Sequence, residues 1–155
     1  MFFPEIFRDH RGKYIETFNE KAYHKYQLPH FVQDDVSVSR KNVLRGLHGD
    51  HKTYKLIQCL HGKIMLAVAD IRIDSPTYKQ WETFILDDET HQQVLVPKGF
   101  VNGHLCLSDT CIFSYKQSTY YEGQGAQISI KWNDPSFEIE WPEGIQPILS
   151  ERDNA

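Results

Sequence analysis

The chain has 155 residues and a mass of 18.2 kDa, the size of one domain able to bury a real core. Seventeen lysines and arginines against 21 acids leave a net charge of −4, with both signs mixed along the chain, so the basic stripe of a nucleic-acid binder is absent. An aromatic content of 13 % excludes a disordered chain, and no window reaches the roughly 18 apolar residues of a membrane helix.

In chain order, the start MFFPEIFRDHRG carries charges where a signal peptide is apolar, so a cytoplasmic protein is expected. A run over 13–18 reads as strand. The segment from Asn19 to Leu28 reads as one short peripheral helix stopped by Pro29. Nearly everything after it is strand-like: 31–39, 54–60, 63–71, 79–86, 91–96, 103–107, 111–117, 126–132 and 137–141 are rich in Val, Ile, Tyr, Phe and Thr. Turn residues separate them, as at Asp74-Ser75-Pro76 and Pro97-Lys98-Gly99. The expected fold is all-β, a double-sheet jelly roll whose closed sides leave a cavity for ligand chemistry.

Alternation assigns faces. In 126–132, Ile128, Ile130 and Trp132 share one face and Gln127, Ser129 and Lys131 the other. The stretch GKIMLAVADI is apolar on both faces and should lie inside a sheet. Cys59, Cys106 and Cys111 are odd in number and embedded in apolar runs, as buried free thiols are.

The densest exception to ordinary patterning is VLRGLHGDHKTYKLIQCL, where Arg45, His48, His51 and Lys55 punctuate segments apolar enough for a core. Lys55 shares a strand face with Ile57 and Cys59. Either it is buried there, which lysines rarely are unless paired or functional, or it sits at a strand end with its ammonium in solvent. His48 alone reads as a structural histidine; association with Lys55, the tyrosines of SYKQSTYY and a carboxylate would make it a base.

The motifs SVSRKNVLRGLH, KLIQCLHGKIMLAVADIR, SPTYKQWETFILDD, VLVPKGF, SYKQSTYY and WNDPSFEIEWPEGIQPILSERD, in this order, resemble the dTDP-4-dehydrorhamnose 3,5-epimerase family of nucleotide-sugar epimerases over almost the whole chain. The short segment between His48 and Lys55 is similar to that of members acting on GDP-linked 4-keto heptoses. The resemblance implies a single cupin-type jelly-roll domain over 1–155. It also implies a homodimer with an exchanged N-terminal strand, no cofactor, no metal, and a place in surface-polysaccharide (O-antigen) sugar synthesis.

Residue by residue, it puts the general base on His48 and its carboxylate partner on Asp153. The lysine near the reacting carbonyl falls on Lys55 and the opposite-face acid on Tyr115. Substrate contacts fall on Arg11, Arg45, Gln33, Tyr121 and Asn102. Asn102 stands where the family usually has a histidine, the nearest being His104, and Leu66 where it has the paired acid. Asp35 follows Gln33 in place of an asparagine.

The chemistry explains these types. A C4 ketone acidifies the protons on C3 and C5, because the carbanion delocalises into an enolate. Inversion needs one group on each face of the ring: a base to take the proton and an acid to return one. An aspartate fixes the imidazole tautomer, and a lysine at the C4 oxygen stabilises the enolate as an oxyanion hole does. A metal-dependent cupin using His48, His51 and His104, a 3,4-ketoisomerase and a non-catalytic sugar-binding cupin are the rival readings.

Overall fold

The computed structural model describes residues 1–155. A small hairpin opens the chain, β1 (Ile6–Asp9) and β2 (Gly12–Ile15), joined by a turn in which Gly12 takes a positive φ. A short helix α1 (Glu20–Tyr23) follows, capped by the Asn19 side chain, and runs into a 3₁₀ turn over His24–Tyr26. The helix expected over Asn19–Leu28 is thus only its first half. Gln27 turns left-handed ahead of Pro29 and ends it.

Two antiparallel sheets form the body. One has the order β3 (Gln33–Arg40), β10 (Thr110–Gln117), β5 (Lys55–His61), β8 (Gln93–Val96). The other has the order β11 (Ile128–Ser129), β4 (Leu44–Asp50), β9 (Phe100–Cys106), β6 (Lys63–Asp70), β7 (Trp81–Asp87). This is a double-sheet jelly roll. Between the sheets lies the main core, including Ile57, Cys59, Leu66, Val68, Cys106 and Phe113. All three cysteines are free and buried, as their apolar context predicts.

The doubly apolar β6 is an interior strand, buried at every position after Lys63. Its second face has an unusual cover. Ala67, Ala69 and Val101 pack under Phe137, Ile139 and Trp141, and Met65 and Leu105 under Trp132, Ile145 and Leu149. These covering residues come from a C-terminal segment wrapped over the outside of the five-stranded sheet.

Two expectations fail in instructive ways. No strand forms over 137–141: the alternating Phe137, Ile139 and Trp141 dock on the sheet, but their backbone has no ladder to join. The run 126–132 shortens to the two residues of β11. Conversely, β4 is a seven-residue strand where no run was expected, because its glycines and charges obscure the pattern. Those glycines are needed for contact with β9. A Cβ at Gly46, whose φ is +109°, would lie 2.6 Å from Gly103 Cα, and one at Gly49 would lie 2.1 Å from the Phe100 carbonyl oxygen.

The same wrapping segment brings the chain end back to β4. Leu44 donates its amide to the Ile148 carbonyl, and Ile148 donates to Asn42, so the residues that follow are carried to the mouth of the jelly roll. There they form a last turn of helix, α2 (Glu151–Asn154), capped by Ser150.

Candidate active site

One end of the barrel opens into a cavity of about 590 Å³, within the roughly 300–1,000 Å³ usual for small-molecule sites. His48, Lys55, Tyr115 and Asp153 all line it. The elements that deliver them are far apart in sequence: His48 from β4, Lys55 from the start of β5, Tyr115 from β10 and Asp153 from α2.

His48 Nε2 lies 2.7 Å from Asp153 Oδ1, which leaves Nδ1 free to meet a ligand. The other Asp153 oxygen accepts from Ser150 Oγ at 3.0 Å. Burial alone would raise the Asp153 pKa. The His48 contact, Ser150 and the Gly46 amide outweigh it and hold the carboxyl below its usual value. A partly buried imidazole is therefore fixed in orientation by a carboxylate that stays ionised.

Lys55 resolves both halves of the sequence reading, being at a strand end and also buried, with 7 % of its surface exposed. Its Nζ donates to Asn102 Oδ1 at 3.1 Å, and no carboxylate pairs with it. Burial is the main reason its pKa falls to about 8, with Asp50 opposing the shift and Arg152 adding to it. The ammonium thus survives at neutral pH without a counter-ion, where it can attract a developing negative charge. Tyr115 faces it from the same sheet, the Lys55 ammonium 5.8 Å from the ring centroid. Burial first, and then the charge and hydrogen bonding of Asp35, push the Tyr115 phenol up to about 12, so it keeps its proton.

Asn102 pairs with His48 across the β4–β9 ladder and lines the cavity. In place of a histidine, it supplies the acceptor that holds Lys55. Leu66 is fully buried within the hydrocarbon core, so no second acid stands there. Arg45 lines the cavity, its Nε donating to Ser39 Oγ at 2.9 Å. Tyr121 sits at the rim, its amide held by Gln33 Oε1 at 2.9 Å, while Gln33 Nε2 and Gln117 Nε2 both donate to Asp35.

Two of the expected site residues are not in the lining: Gln33, which backs Tyr121, and Arg11. Arg11 lies in the turn of the β1–β2 hairpin, exposed and paired with Asp9 at 2.6 Å, and takes no part in this cavity. The hairpin packs apart from the cavity mouth, so a single chain cannot bring its guanidinium there. The metal-site candidates do not converge either: His51 is exposed in the turn after β4, and no cluster of three or more His, Cys, Asp or Glu side chains is positioned to hold a metal ion.

Several lining residues escaped the sequence reading, among them Ser37, Phe113, Gln127 and Arg152. Arg152 donates to Ser129 Oγ and Gln127 Oε1, tying α2 to β11. The only signal for Ser37 and Phe113 was period-two alternation with predicted site residues, Phe113 with Tyr115 and Ser37 with Gln33.

The chain is similar to known proteins over nearly all its length. The profile of the dTDP-4-dehydrorhamnose 3,5-epimerase family matches residues 1–155. The dTDP-4-dehydrorhamnose 3,5-epimerase of Escherichia coli K12 is 41 % identical over 155 residues, spanning 97 % of this chain and 83 % of that protein. The enzyme of the same name from Methanothermobacter thermautotrophicus is 39 % identical, over 97 % and 83 % respectively.

Among solved structures, the Legionella pneumophila dTDP-6-deoxy-D-glucose-3,5-epimerase in complex with dTDP-4-keto-L-rhamnose superposes with a TM-score of 0.91 at 40 % identity, covering 97 % of this chain and 82 % of that one. A 3′-monoepimerase from Streptomyces bikiniensis in complex with dTDP-quinovose gives 0.91 at 32 % identity, covering 98 % and 79 %. No helix of the chain is long and apolar enough to cross a membrane. A jelly roll with a histidine–aspartate pair, a buried lysine and a tyrosine around one cavity, matched along its whole length by these enzymes, belongs to the dTDP-4-dehydrorhamnose 3,5-epimerase family of isomerases.

Proposed function

We propose that the protein inverts C3 of a nucleotide-diphosphate 4-keto sugar, with C5 as the second centre open to the same chemistry, in the making of a surface-polysaccharide sugar. The observation that carries this is the His48–Asp153 pair at 2.7 Å, lining one cavity with an unpaired buried ammonium and a protonated phenol.

His48 Nδ1 takes the proton from carbon, and the electron pair moves onto the C4 oxygen. The Lys55 ammonium stabilises that enolate, and Asp153 steadies the imidazolium. Tyr115, on the sheet opposite His48, gives its phenolic proton to the other face of the carbon. The centre is then inverted, and solvent returns the imidazolium proton to the tyrosinate. Neither a metal nor a redox cofactor enters these steps.

The absence of a second histidine–acid pair at Asn102 and Leu66 supports C3 as the main centre, as does the likeness to a 3′-monoepimerase. Arg45, Tyr121, Gln33 and Asn102 are the substrate contacts in this reading, with Arg45 toward the diphosphate. The names of the relatives carry dTDP; the short His48–Lys55 segment supports a GDP-linked sugar. Arg11 reaches a site only in a homodimer, where the hairpin of one protomer lies against its partner. The exposed Phe3, Phe7 and Tyr14 near that hairpin, and Val36 and Val38 on the open edge strand β3, support such an interface.

The test is NMR of dTDP- and GDP-linked 4-keto-6-deoxy sugars and 4-keto heptoses incubated with the protein in D₂O. Deuterium at C3 is expected. Its absence from both C3 and C5 with every sugar, in a folded protein that binds one of them, would replace catalysis by a sugar-binding role.

A further inference from the structure

The floor of the cavity holds two polar side-chain atoms that the epimerisation chemistry does not use. The His104 side chain is 2 % exposed and lines the cavity, yet its Nε2 has no hydrogen-bond partner. Ser37 Oγ, also in the lining, is likewise buried and unpartnered. Native proteins rarely leave such atoms unmet unless water or a ligand meets them.

Both belong to one spot. The His104 ring stacks on Phe113, centroids 3.9 Å apart and planes within 10°, and Ser37 sits opposite Phe113 in the β3–β10 ladder. The two orphans, one from each sheet, therefore flank the same ring. Arg45 is the ladder partner of His104 on β4 and closes the third side. Burial above all, and then the Arg45 charge, hold the imidazole pKa down to about 3, so it is neutral, with one ring nitrogen a donor and the other an acceptor.

The position relative to the chemistry is set by β9. His104 lies two residues beyond Asn102 on the same strand face, about 7 Å along it. Asn102 holds the Lys55 ammonium. A sugar seated with its carbonyl on Lys55 thus has another edge within reach of the His104–Ser37 spot. A methyl group there would seal both polar atoms from water without a partner, whereas a hydroxyl can donate to one and accept from the other.

We propose that His104 and Ser37 form a hydroxyl-reading subsite that selects a sugar bearing a free hydroxyl at the cavity floor. This rests on the nucleotide-sugar reading of the cavity. Two hydroxyls have the right chemistry, the ring hydroxyl at C2 and an exocyclic hydroxyl at C6, and the test separates them.

The measurement is titration calorimetry with three nucleotide-diphosphate hexoses that lack the keto group: the fully hydroxylated sugar, its 2-deoxy form and its 6-deoxy form. With the unaltered protein, one deoxy form should bind about tenfold more weakly, and it identifies the hydroxyl. In His104→Phe, which keeps an aromatic ring on Phe113, that difference should vanish. Equal affinity for all three sugars, a penalty that persists in His104→Phe, or no binding of any of them would overturn the subsite.

Should His104→Phe fail to fold, histidine side-chain nitrogen NMR on the unaltered protein replaces it. The His104 Nε2 resonance should move with the hydroxylated sugar and not with the weak deoxy form, and an identical response to both would again overturn the subsite. Deuterium exchange keeps the two readings apart. Exchange without discrimination sinks the subsite alone, and discrimination without exchange sinks the epimerase reading alone.

Discussion

His48 and Lys55 carry opposite demands at the residue scale, one to accept a proton and the other to keep one. His48→Asn should remove deuterium exchange by at least about 10²-fold while leaving the thermal unfolding midpoint close to that of the parent. Exchange at a tenth of the parental rate or more would rule out His48 as the base. Lys55 makes the proposed mechanism pH-sensitive on the alkaline side: its ammonium is the working form, and its pKa sits at about 8. The kcat/KM for exchange should therefore fall as pH rises past about 8, and a flat profile to pH 10 would exclude the lysine as the enolate partner. Stability should move the other way. Because burial has lowered the pKa from its ordinary 10.5, the folded chain binds fewer protons than the unfolded one between about pH 8 and 10.5, and Lys55 contributes a rise in unfolding free energy across that window. Tyr115→Phe removes only the returning proton. It should slow inversion more than the first deprotonation, so deuterium wash-in at C3 should outlast formation of the epimer; equal loss of both would deny Tyr115 the acid role.

Contact between β4 and β9 decides the geometry at the element scale. Gly46 combines a positive φ of +109° with a site where a Cβ would fall 2.6 Å from the Gly103 backbone. Gly46→Ala should cost roughly 2–4 kcal/mol, adding backbone strain to steric overlap, as read from urea unfolding. A loss below about 1 kcal/mol would mean that the two strands separate easily. Alternation was a good guide wherever a strand is regular: 54–60 and 111–117 fall within a residue or so of β5 and β10, because one face of each meets the core. It misled where side chains dock without a ladder, as at Phe137, Ile139 and Trp141, and it missed β4, whose glycines interrupt the pattern although they let two strands approach.

The fold, taken whole, is closed on one side by its own C-terminal wrapping and open on another. The edge strand β3 leaves Val36 and Val38 more than half exposed, at 59 % and 61 %, and the hairpin leaves Phe7 and Tyr14 at 53 % and 69 %. A monomer rarely leaves so much apolar edge unprotected. In the proposed dimer Val38→Lys should shift the equilibrium toward monomer by tenfold or more in sedimentation, and Arg11→Ala should weaken nucleotide-sugar binding without changing the assembly. A chain monomeric at micromolar concentration before any substitution would remove both expectations.

The sequence by itself determined the all-β class, the interior position of β6, the buried thiols and, through its ordered motifs, the family and the identity of the residues at its proposed catalytic centre. These are local matters: side-chain period, turn chemistry, and short strings whose residue types the chemistry requires. Only the tertiary structure decided which of those residues meet. Asp153 reaches His48 because 132–149 wraps the outer sheet and returns along β4, a path fixed by apolar docking far from either residue. The pKa of Lys55 follows from desolvation by both sheets, and the isolation of Arg11 from a hairpin that packs elsewhere. In the sequence His104 stood out only as the histidine nearest Asn102 and a candidate metal ligand; that the fold buries its Nε2 without a partner could not be read there, since hydrogen-bond satisfaction is a property of the space around an atom and leaves no mark in the string of residues.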